Sequence, residues 1–226
     1  MPTVLITGAN RGLGLEFVRS FAAEGWRVHA CARNVEKAKS VKALEGDVVC
    51  HKLDVTNGLK VASLARSLAE EPLDLLINNA GIYGSRADFG ETDFDDWATT
   101  LSVNTLAPLR MAERFVGMLE KGERKTIVNI SSRMGSIAST GTGGSYAYRS
   151  SKAALNMVTK GLSADLGPKG FTVVSFHPGW VQTDMGGEEA DIPSDESIVG
   201  MRKVIAGLTT EDNGKFFNYD GSEIDW

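Results

Sequence analysis

Residues 3–14 read TVLITGANRGLG, a short apolar run that is followed closely by three glycines. The run Thr3–Gly8 is typical of a buried strand, and Gly12–Glu24 has apolar residues at helical spacing. Glycines at such a corner let the backbone approach a pyrophosphate, and the helix N-terminus offers N–H groups to the anion. A tight turn without a ligand would give the same pattern, and the spacing GxxxGxG is not the commoner GxGxxG. The stretch therefore predicts a phosphate cradle that includes Gly8, Asn10, Arg11, Gly12, Leu13 and Gly14.

The rest of the chain continues this alternation of short apolar runs and helical segments. We predict strands at Arg27–Arg33, Val48–Val55, Leu73–Asn78, Thr126–Ser131, Phe171–His177 and Lys215–Tyr219. We predict helices at Val35–Leu44, Asn57–Glu70, Asp93–Glu120, Tyr146–Leu166 and Ser194–Leu208. Nearly continuous apolar strands are typical of a parallel sheet that is covered on both faces. The sequence thus predicts an α/β fold with one domain, residues 1–226: a doubly wound Rossmann fold whose mostly parallel seven-stranded sheet lies between two helix layers.

Composition excludes several classes of protein. With 42% hydrophobic residues the chain can bury an ordinary core. Its 24 basic and 29 acidic residues give a net charge of −5, which predicts that it does not bind nucleic acid. We see no signal peptide and no apolar run of the ~18 residues that cross a bilayer, and so expect no membrane partner. The lone Cys31 and Cys50 fit free thiols in a reducing cytoplasm, and no metal-ligand spacing is present.

The end of the second predicted strand bears on the choice of dinucleotide. In NAD-binding folds an acidic residue there accepts hydrogen bonds from the ribose 2′-OH. This strand ends instead at Arg33, and Arg11 could face the same position. Two guanidinium groups favour a 2′-phosphate, so we predict NADP(H) unless both arginines are solvated surface residues. Asp54, after the third strand, could receive the adenine amino group, although an N-cap of the next helix would look the same.

A tyrosine and a lysine point to proton transfer. Tyr148 and Lys152 lie four residues apart on a predicted helix and therefore share one face. A nearby ammonium stabilises a phenolate and lowers the pKa of the phenol from its usual value of ~10. Such a phenol can give a proton to a carbonyl oxygen whose carbon receives a hydride. Ser132, at the carboxyl end of the fifth strand, can donate a hydrogen bond to the same oxygen.

These motifs, taken in order along the whole chain, resemble the short-chain dehydrogenase/reductase family, and more narrowly its carbonyl-reductase-like branch. They are TGANRGLG at 7–14, LDV at 53–55, NNAG at 78–81, Asn104, the serine pair at 131–132, YxxxK at 148–152 and PG at 178–179. The narrower likeness rests on RGLG at 11–14, SRMGSI at 132–137, YAYR at 146–149, PGWVQTDMGG at 178–187 and NYDG at 218–221.

The resemblance implies an NADP(H)-dependent oxidoreductase that acts on a small-molecule carbonyl or alcohol. It implies that Tyr148 is the general acid and base, assisted by Ser132 and Lys152, and that Asn104 holds a water linking the lysine to solvent. Further cofactor contacts that it implies are Asp54, Val55, Asn79, Ala80, Gly81, Tyr148, Lys152, Pro178, Gly179, Val181 and Thr183. It also implies a homodimer or tetramer, paired through the helices that hold Asn104 and Tyr148.

Some alternatives remain open at the level of sequence. Ser132 and Tyr148 are sixteen residues apart, three more than is usual in the family, and the Gly-rich segment 136–145 can absorb the excess. Ser131 or Ser136 could replace Ser132, whereas Tyr146 lacks a lysine four residues on. The alternative function is an NADP(H)-binding signalling or stress-protection protein in which turnover is weak.

Two expectations concern shape. Pro108 predicts a kink, or the end of a first part, in the long helix Asp93–Glu120. The loops 82–92, 134–145 and 185–197 are expected to build the substrate pocket. Four large side chains of this region would either line an apolar pocket or pack the loops themselves: Tyr83, Met134, Trp180 and Met185.

Overall fold

The computed structural model describes residues 1–34, 41 and 43–226, and its centre is one sheet of seven strands. The strands are β1 (Thr3–Thr7), β2 (Arg27–Ala32), β3 (Val48–Lys52), β4 (Leu75–Asn78), β5 (Thr126–Ile130), β6 (Thr172–His177) and β7 (Phe216–Asn218). Their order is β3-β2-β1-β4-β5-β6-β7, and all six pairings are parallel. The predicted doubly wound fold is confirmed, and the direction of winding reverses between β1 and β4, where such folds bind ligands.

Helices cover both faces of the sheet. They are α1 (Gly12–Ala23), α2 (Gly58–Ser67), α3 (Phe94–Leu101), α4 (Ala107–Lys121), α5 (Tyr146–Leu166) and α6 (Ser194–Gly207). Side chains of α1 and α6 pack into the core on one face, and those of α2, α4 and α5 into the core on the other. The predicted helix Val35–Leu44 lies largely outside the described residues. Within the described part of the chain, no helix has the length and apolarity needed to span a bilayer.

The predicted long helix Asp93–Glu120 is interrupted rather than continuous. A π-helical turn, Ser102–Leu106, separates α3 from α4. Pro108 lies in the first turn of α4, where its missing N–H costs no helical hydrogen bond. Pro108 therefore marks the start of the second α-helical part, whereas the first part already ends at Leu101. Other element ends differ from the predicted ones by a few residues; for example, β3 ends at Lys52 rather than at Val55.

A chain of buried polar side chains crosses the otherwise apolar α5 side of the sheet. Asn78 of β4 donates to Asn129 of β5 at 2.9 Å, and Asn129 donates to Thr159 of α5 at 2.9 Å. The Thr159 hydroxyl lies 2.8 Å from that of Ser175 in β6. Because hydrogen bonds are directional and unpaired buried polar groups are costly, this chain fixes α5 relative to three strands.

Candidate active site

The glycine corner between β1 and α1 is too crowded for side chains. Gly8 has a φ of +67°, and a Cβ there would lie 2.9 Å from the Ala80 Cα. A Cβ on Gly14 would lie 2.2 Å from the Gly8 carbonyl oxygen. Arg11 precedes α1 without a side-chain capping hydrogen bond, which leaves the first-turn N–H groups to an anion. Of the other predicted cradle residues, Leu13 packs against the core and Asn10 is half-buried.

The ends of β1 and β4 are held together at the reversal point. Asn79 donates through Nδ2 to the Thr7 carbonyl at 2.9 Å and to the Gly8 carbonyl at 3.3 Å. The Thr7 hydroxyl accepts from the N–H groups of Asn79 and Ala80, each at 3.0 Å. Gly81 follows, and a Cβ on it would lie 3.3 Å from Asn104 Oδ1 and 3.6 Å from Lys152 Nζ. The sequence NNAG thus links the glycine corner to two predicted catalytic residues, Asn104 and Lys152.

The two arginines that were expected to share one role differ in their surroundings. Arg11 pairs with Asp184 at 2.6 Å, on an exposed surface. Arg33 is also exposed, and its charge contributes to lowering the pKa of Asp54, after the larger effect of the Thr56 hydroxyl hydrogen bond. That both arginines face a 2′-phosphate stays a prediction; in this structure the Arg11 guanidinium pairs with Asp184, 173 residues away in the chain.

Asp54 is not the N-cap of the next helix. Its Oδ1 accepts from the backbone N–H and the hydroxyl of Thr56, at 3.0 and 2.7 Å. The N-cap of α2 is Asn57, whose side chain accepts from the Lys60 N–H at 3.0 Å. Neighbouring Val55 is buried, and its carbonyl accepts from Arg110 at 3.2 Å. The capping alternative for Asp54 is thus wrong, and a local turn positions its carboxylate.

The segment after β6 folds over the glycine corner. Pro178 and Gly179 form the turn, where Gly179 has a φ of +87° and a Cβ would lie 2.5 Å from Ile192. Val181 pairs with Ile192 in an isolated bridge. The Thr183 methyl lies 3.4 Å from the Cβ position of Gly12. The two predicted nucleotide-binding segments, one after β1 and one after β6, therefore lie against each other.

Tyr148, Lys152 and Ser132 come together as predicted, and all three are buried. The Lys152 Nζ donates to the Ile130 carbonyl at 2.8 Å and lies 5.7 Å from the centroid of the Tyr148 ring. The Ser132 hydroxyl lies close enough to the Tyr148 phenol to lower its pKa. The cluster lies just beyond the carboxyl end of β5, at the edge of the sheet where α/β proteins bind their ligands.

Burial is the main cause of the pKa shifts of Tyr148 and Lys152. Burial raises the pKa of Tyr148 to about 12, against the opposing effect of the hydrogen bond with Ser132. Burial also lowers the pKa of Lys152 to about 8. Burial therefore outweighs the hydrogen-bonding effect of Ser132 on the pKa of Tyr148, and the stabilisation of its phenolate by Lys152 stays a prediction. Tyr148 is protonated at neutral pH, which is the state that a proton donor needs.

Asn104 is fully buried within the π-helical turn and bonds to two segments. Its amide accepts from the Ile82 N–H at 2.9 Å and donates to the Ile82 carbonyl at 2.8 Å. It also donates to Ser151 at 3.0 Å, and Ser151 donates to the Tyr148 carbonyl at 2.8 Å. Asn104 thus links the loop after β4 to the helix that carries Tyr148. Ser151 was missed at the level of sequence, where its place before Lys152 gives no chemical signal.

The neighbouring serines have other partners. Ser131 donates to Asn156 at 2.6 Å, and Ser136 donates to the Asp225 carbonyl at 2.6 Å. Ser132 instead accepts from the Met134 N–H at 3.2 Å, and its hydroxyl acts on the Tyr148 phenol by lowering its pKa. This geometry favours Ser132 as the residue that contacts a substrate oxygen. Among the residues described, no group of three or more His, Cys, Asp or Glu side chains could hold a metal ion.

Comparisons with known proteins identify relatives of this chain by sequence and by structure. A family model described as short chain dehydrogenase matches residues 2–192. The C-signal protein of Myxococcus xanthus is 46% identical over 164 residues, which cover 73% of this chain and 99% of that protein. The carbonyl reductase Sniffer of D. melanogaster superposes with a TM-score of 0.96 at 35% identity, over 100% of both chains. The NADPH-bound carbonyl reductase from chicken fatty liver gives a TM-score of 0.91 at 36% identity, over 100% of this chain and 99% of that one.

Proposed function

The chain belongs to the short-chain dehydrogenase/reductase family of oxidoreductases, and we propose that it is an NADPH-dependent carbonyl reductase with Tyr148 as its proton donor. The observation that carries this proposal is the buried cluster of Tyr148, Ser132 and Lys152 beside the glycine corner. The protein would interconvert a small-molecule carbonyl and its alcohol.

The residues around β1 and β4 fit a dinucleotide. The corner at Gly8 and Gly14 leaves room only for backbone, and the N-terminus of α1 suits a pyrophosphate. Arg33 would meet the 2′-phosphate, and Asp54 would accept from the adenine amino group. The NADPH bound to the chicken relative supports the choice of NADP(H). The remaining predicted contacts, to the ribose and the nicotinamide, would come from Asn79, Ala80, Gly81, Pro178, Gly179, Val181 and Thr183.

The chemistry of reduction follows from the protonation states of the cluster. NADPH, when bound, would be the source of the hydride for the carbonyl carbon, and negative charge would then develop on the carbonyl oxygen. Ser132 donates a hydrogen bond to that oxygen, and Tyr148 transfers its proton to it. The transfer is downhill even with a pKa of about 12 for Tyr148, because an alkoxide is a stronger base than a phenolate. Lys152 stabilises the phenolate that remains, and Asn104 would hold the water through which the lysine exchanges protons with solvent.

The direct test is NADPH oxidation with a panel of aldehydes, ketones and quinones. We expect Tyr148→Phe to lower kcat by about 1,000-fold, the scale of general acid catalysis, without weakening NADPH binding. Tyr146→Phe is the matched control, since Tyr146 is on the same helix but lacks the lysine four residues on, and it should retain its activity. Full activity of Tyr148→Phe would contradict the proposal.

A second candidate function is a signalling or stress-protection protein that binds NADP(H) with little turnover. The observation that favours it is the 46% identity to the C-signal protein. The same assay distinguishes the two candidates: submicromolar binding of NADPH without turnover of any substrate in the panel would support this alternative.

We also propose a homodimer or tetramer, located in the cytoplasm, that binds neither nucleic acid nor membranes. Pairing through the π-helical turn and α5 is supported by apolar side chains on their surfaces: Leu106 is 53% and Met157 is 70% exposed. Light scattering that finds only monomers would contradict the pairing. The single sheet that extends from Thr3 to Asn218 supports the proposal of one domain.

A further inference from the structure

Tyr83 lies directly against the proposed proton donor. The rings of Tyr83 and Tyr148 stack face to face, with centroids 4.3 Å apart and planes inclined by 10°. Tyr83 belongs to the loop that follows β4 and the sequence NNAG, and it is 65 residues away from Tyr148 in the chain. Apart from Tyr148 itself, no residue assigned so far to the reaction takes part in this contact.

The backbone on both sides of Tyr83 is fixed. Asn104 holds both polar groups of Ile82, as described above. Gly84 has a φ of +72°, and a Cβ there would lie 2.3 Å from the Thr100 hydroxyl. The Ser85 N–H donates to the carboxylate of Asp96 in α3. The loop therefore cannot shift without breaking contacts with α3 and the π-helical turn.

The side chain of Tyr83 is held as firmly as its backbone. Its hydroxyl lies 3.2 Å from the Ser145 hydroxyl and 3.7 Å from the Met134 sulfur, so it spans two of the loops expected around the substrate. The Arg86 guanidinium lies 4.6 Å from the ring centroid, on the face that Tyr148 does not cover. Arg86 also donates to the Met185 carbonyl at 3.4 Å, in the third loop.

We propose that Tyr83 is a positioning residue for the reduction, and that its ring holds the Tyr148 ring in the orientation in which its hydroxyl meets the substrate oxygen. The inference rests on the proposed function. Ser132 restrains only the hydroxyl end of Tyr148, and Lys152 lies 5.7 Å from the ring centroid. The stacked face of Tyr83 restricts tilting of the Tyr148 ring, and proton transfer is sensitive to displacements of this kind.

Two substitutions separate the ring of Tyr83 from its hydroxyl. Tyr83→Phe keeps the stacked face and loses the bonds to Ser145 and Met134, whereas Tyr83→Leu removes the face. We expect Tyr83→Leu to lower kcat about 10-fold, with the Kd for NADPH unchanged, and Tyr83→Phe to stay within about 3-fold of the wild type. The matched control is Phe94→Leu, which removes an aromatic ring that is 72% exposed and stacks on Trp97; it should leave kcat unchanged.

The pH profile provides a readout that a merely structural role would not move. The groups that face the Tyr148 phenol are Ser132, Tyr83 and, on its own helix, Lys152, with Arg86 behind Tyr83. Burial is the main reason that the pKa of Tyr148 is about 12. Tyr83→Leu exposes the phenol, so the decline of kcat for reduction at high pH should begin at lower pH than in the wild type and in Tyr83→Phe.

The outcomes separate the two proposals. A folded Tyr83→Leu variant whose kcat and pH profile match the wild type would overturn the positioning role, even if Tyr148→Phe is inactive. If the wild type turns over none of the carbonyl substrates, the proposed reduction fails. Ultraviolet titration of the phenols then still tests the stack. The titration of Tyr148 is obtained by subtracting the curve of the corresponding Tyr148→Phe variant. Tyr148 should ionise at lower pH in Tyr83→Leu than in the wild type, and an unchanged titration would refute the contact.

Discussion

The glycine corner and the buried cluster around Tyr148 lie at the same edge of the sheet but are held by different kinds of contact. At the corner, backbone packs against backbone: a Cβ placed on Gly14 would lie only 2.2 Å from the Gly8 carbonyl oxygen. In the cluster, residues that are distant in the chain make contact: the Asn104 side chain bonds to the Ile82 backbone, and the Tyr83 ring stacks on the Tyr148 ring. The corner is therefore encoded in a short stretch of sequence, whereas the cluster depends on the positions of distant elements.

Among substitutions that test this comparison, those at the glycine corner should have the largest effect on NADPH binding. Gly14→Ala places a methyl group against the Gly8 carbonyl, so the corner must open and its N–H groups must move. We expect NADPH affinity to fall by about 100-fold, since overpacking of this kind costs about 1–3 kcal/mol. Isothermal titration calorimetry measures the change.

The control for that experiment is another glycine in a helix. A Cβ on Gly117 in α4 would have nothing within 4 Å. Gly117→Ala should therefore bind NADPH normally and should gain about 0.5–1 kcal/mol of stability from the improved helix propensity. Equal binding of NADPH by Gly14→Ala and Gly117→Ala would refute the claim that backbone contact builds the corner.

A smaller effect is expected where the nucleotide meets single side chains. Arg33→Asp should reduce the preference for NADPH over NADH by about 10-fold, because a charge-assisted hydrogen bond contributes about 1.5–3 kcal/mol. Arg11→Ala should change the preference less, since Arg11 is paired with Asp184. The ratio of kcat/KM values for the two cofactors is the measurement. An unchanged ratio in Arg33→Asp would show that the argument for the 2′-phosphate is wrong.

The smallest effect belongs to a region remote from both, the pair of strands β2 and β3. His29 Nδ1 lies 2.9 Å from His51 Nε2, and burial lowers the pKa of both rings, that of His51 to about 4. The unfolded chain binds these protons below a pH of ~6.5, whereas the folded His51 binds one only near pH 4. The contribution of His51 to folding stability should therefore fall as the pH drops from 6.5 to 4, and this contribution should level off below that range.

Thermal unfolding at a series of pH values tests this prediction. We expect the wild type to lose several degrees of Tm between neutral pH and pH 4, and His51→Gln to lose less over the same range. Parallel curves for the two proteins would contradict the assignment to His51.

The sequence predicts the parts of this molecule that depend on neighbours in the chain. The run Thr3–Gly8 has three consecutive aliphatic residues at its centre because β1 is buried on both faces, and the glycines follow within a few residues. The shared face of Tyr148 and Lys152 follows from helical periodicity. Residue type and spacing were sufficient in each case.

Other features depend on contacts that no local pattern reports. Asp184 lies 173 residues from Arg11, and their pairing could not be inferred from either segment. The stacking of Tyr83 on Tyr148 needs the loop after β4 to sit over α5. The rise in the pKa of Tyr148 could not be predicted from the sequence, because the burial that causes it is a property of the folded chain.

The π-helical turn at Ser102–Leu106 makes the number of residues between α3 and α4 a constraint in its own right. Each residue of an α-helix advances the chain by about 100° around the axis, so a one-residue deletion here would yield a regular helix but swing α3 by that angle. Thr100 and Asp96, which support Gly84 and Ser85, would then face away from the loop. A deletion in this turn should therefore disturb the loop after β4 more than many single substitutions would.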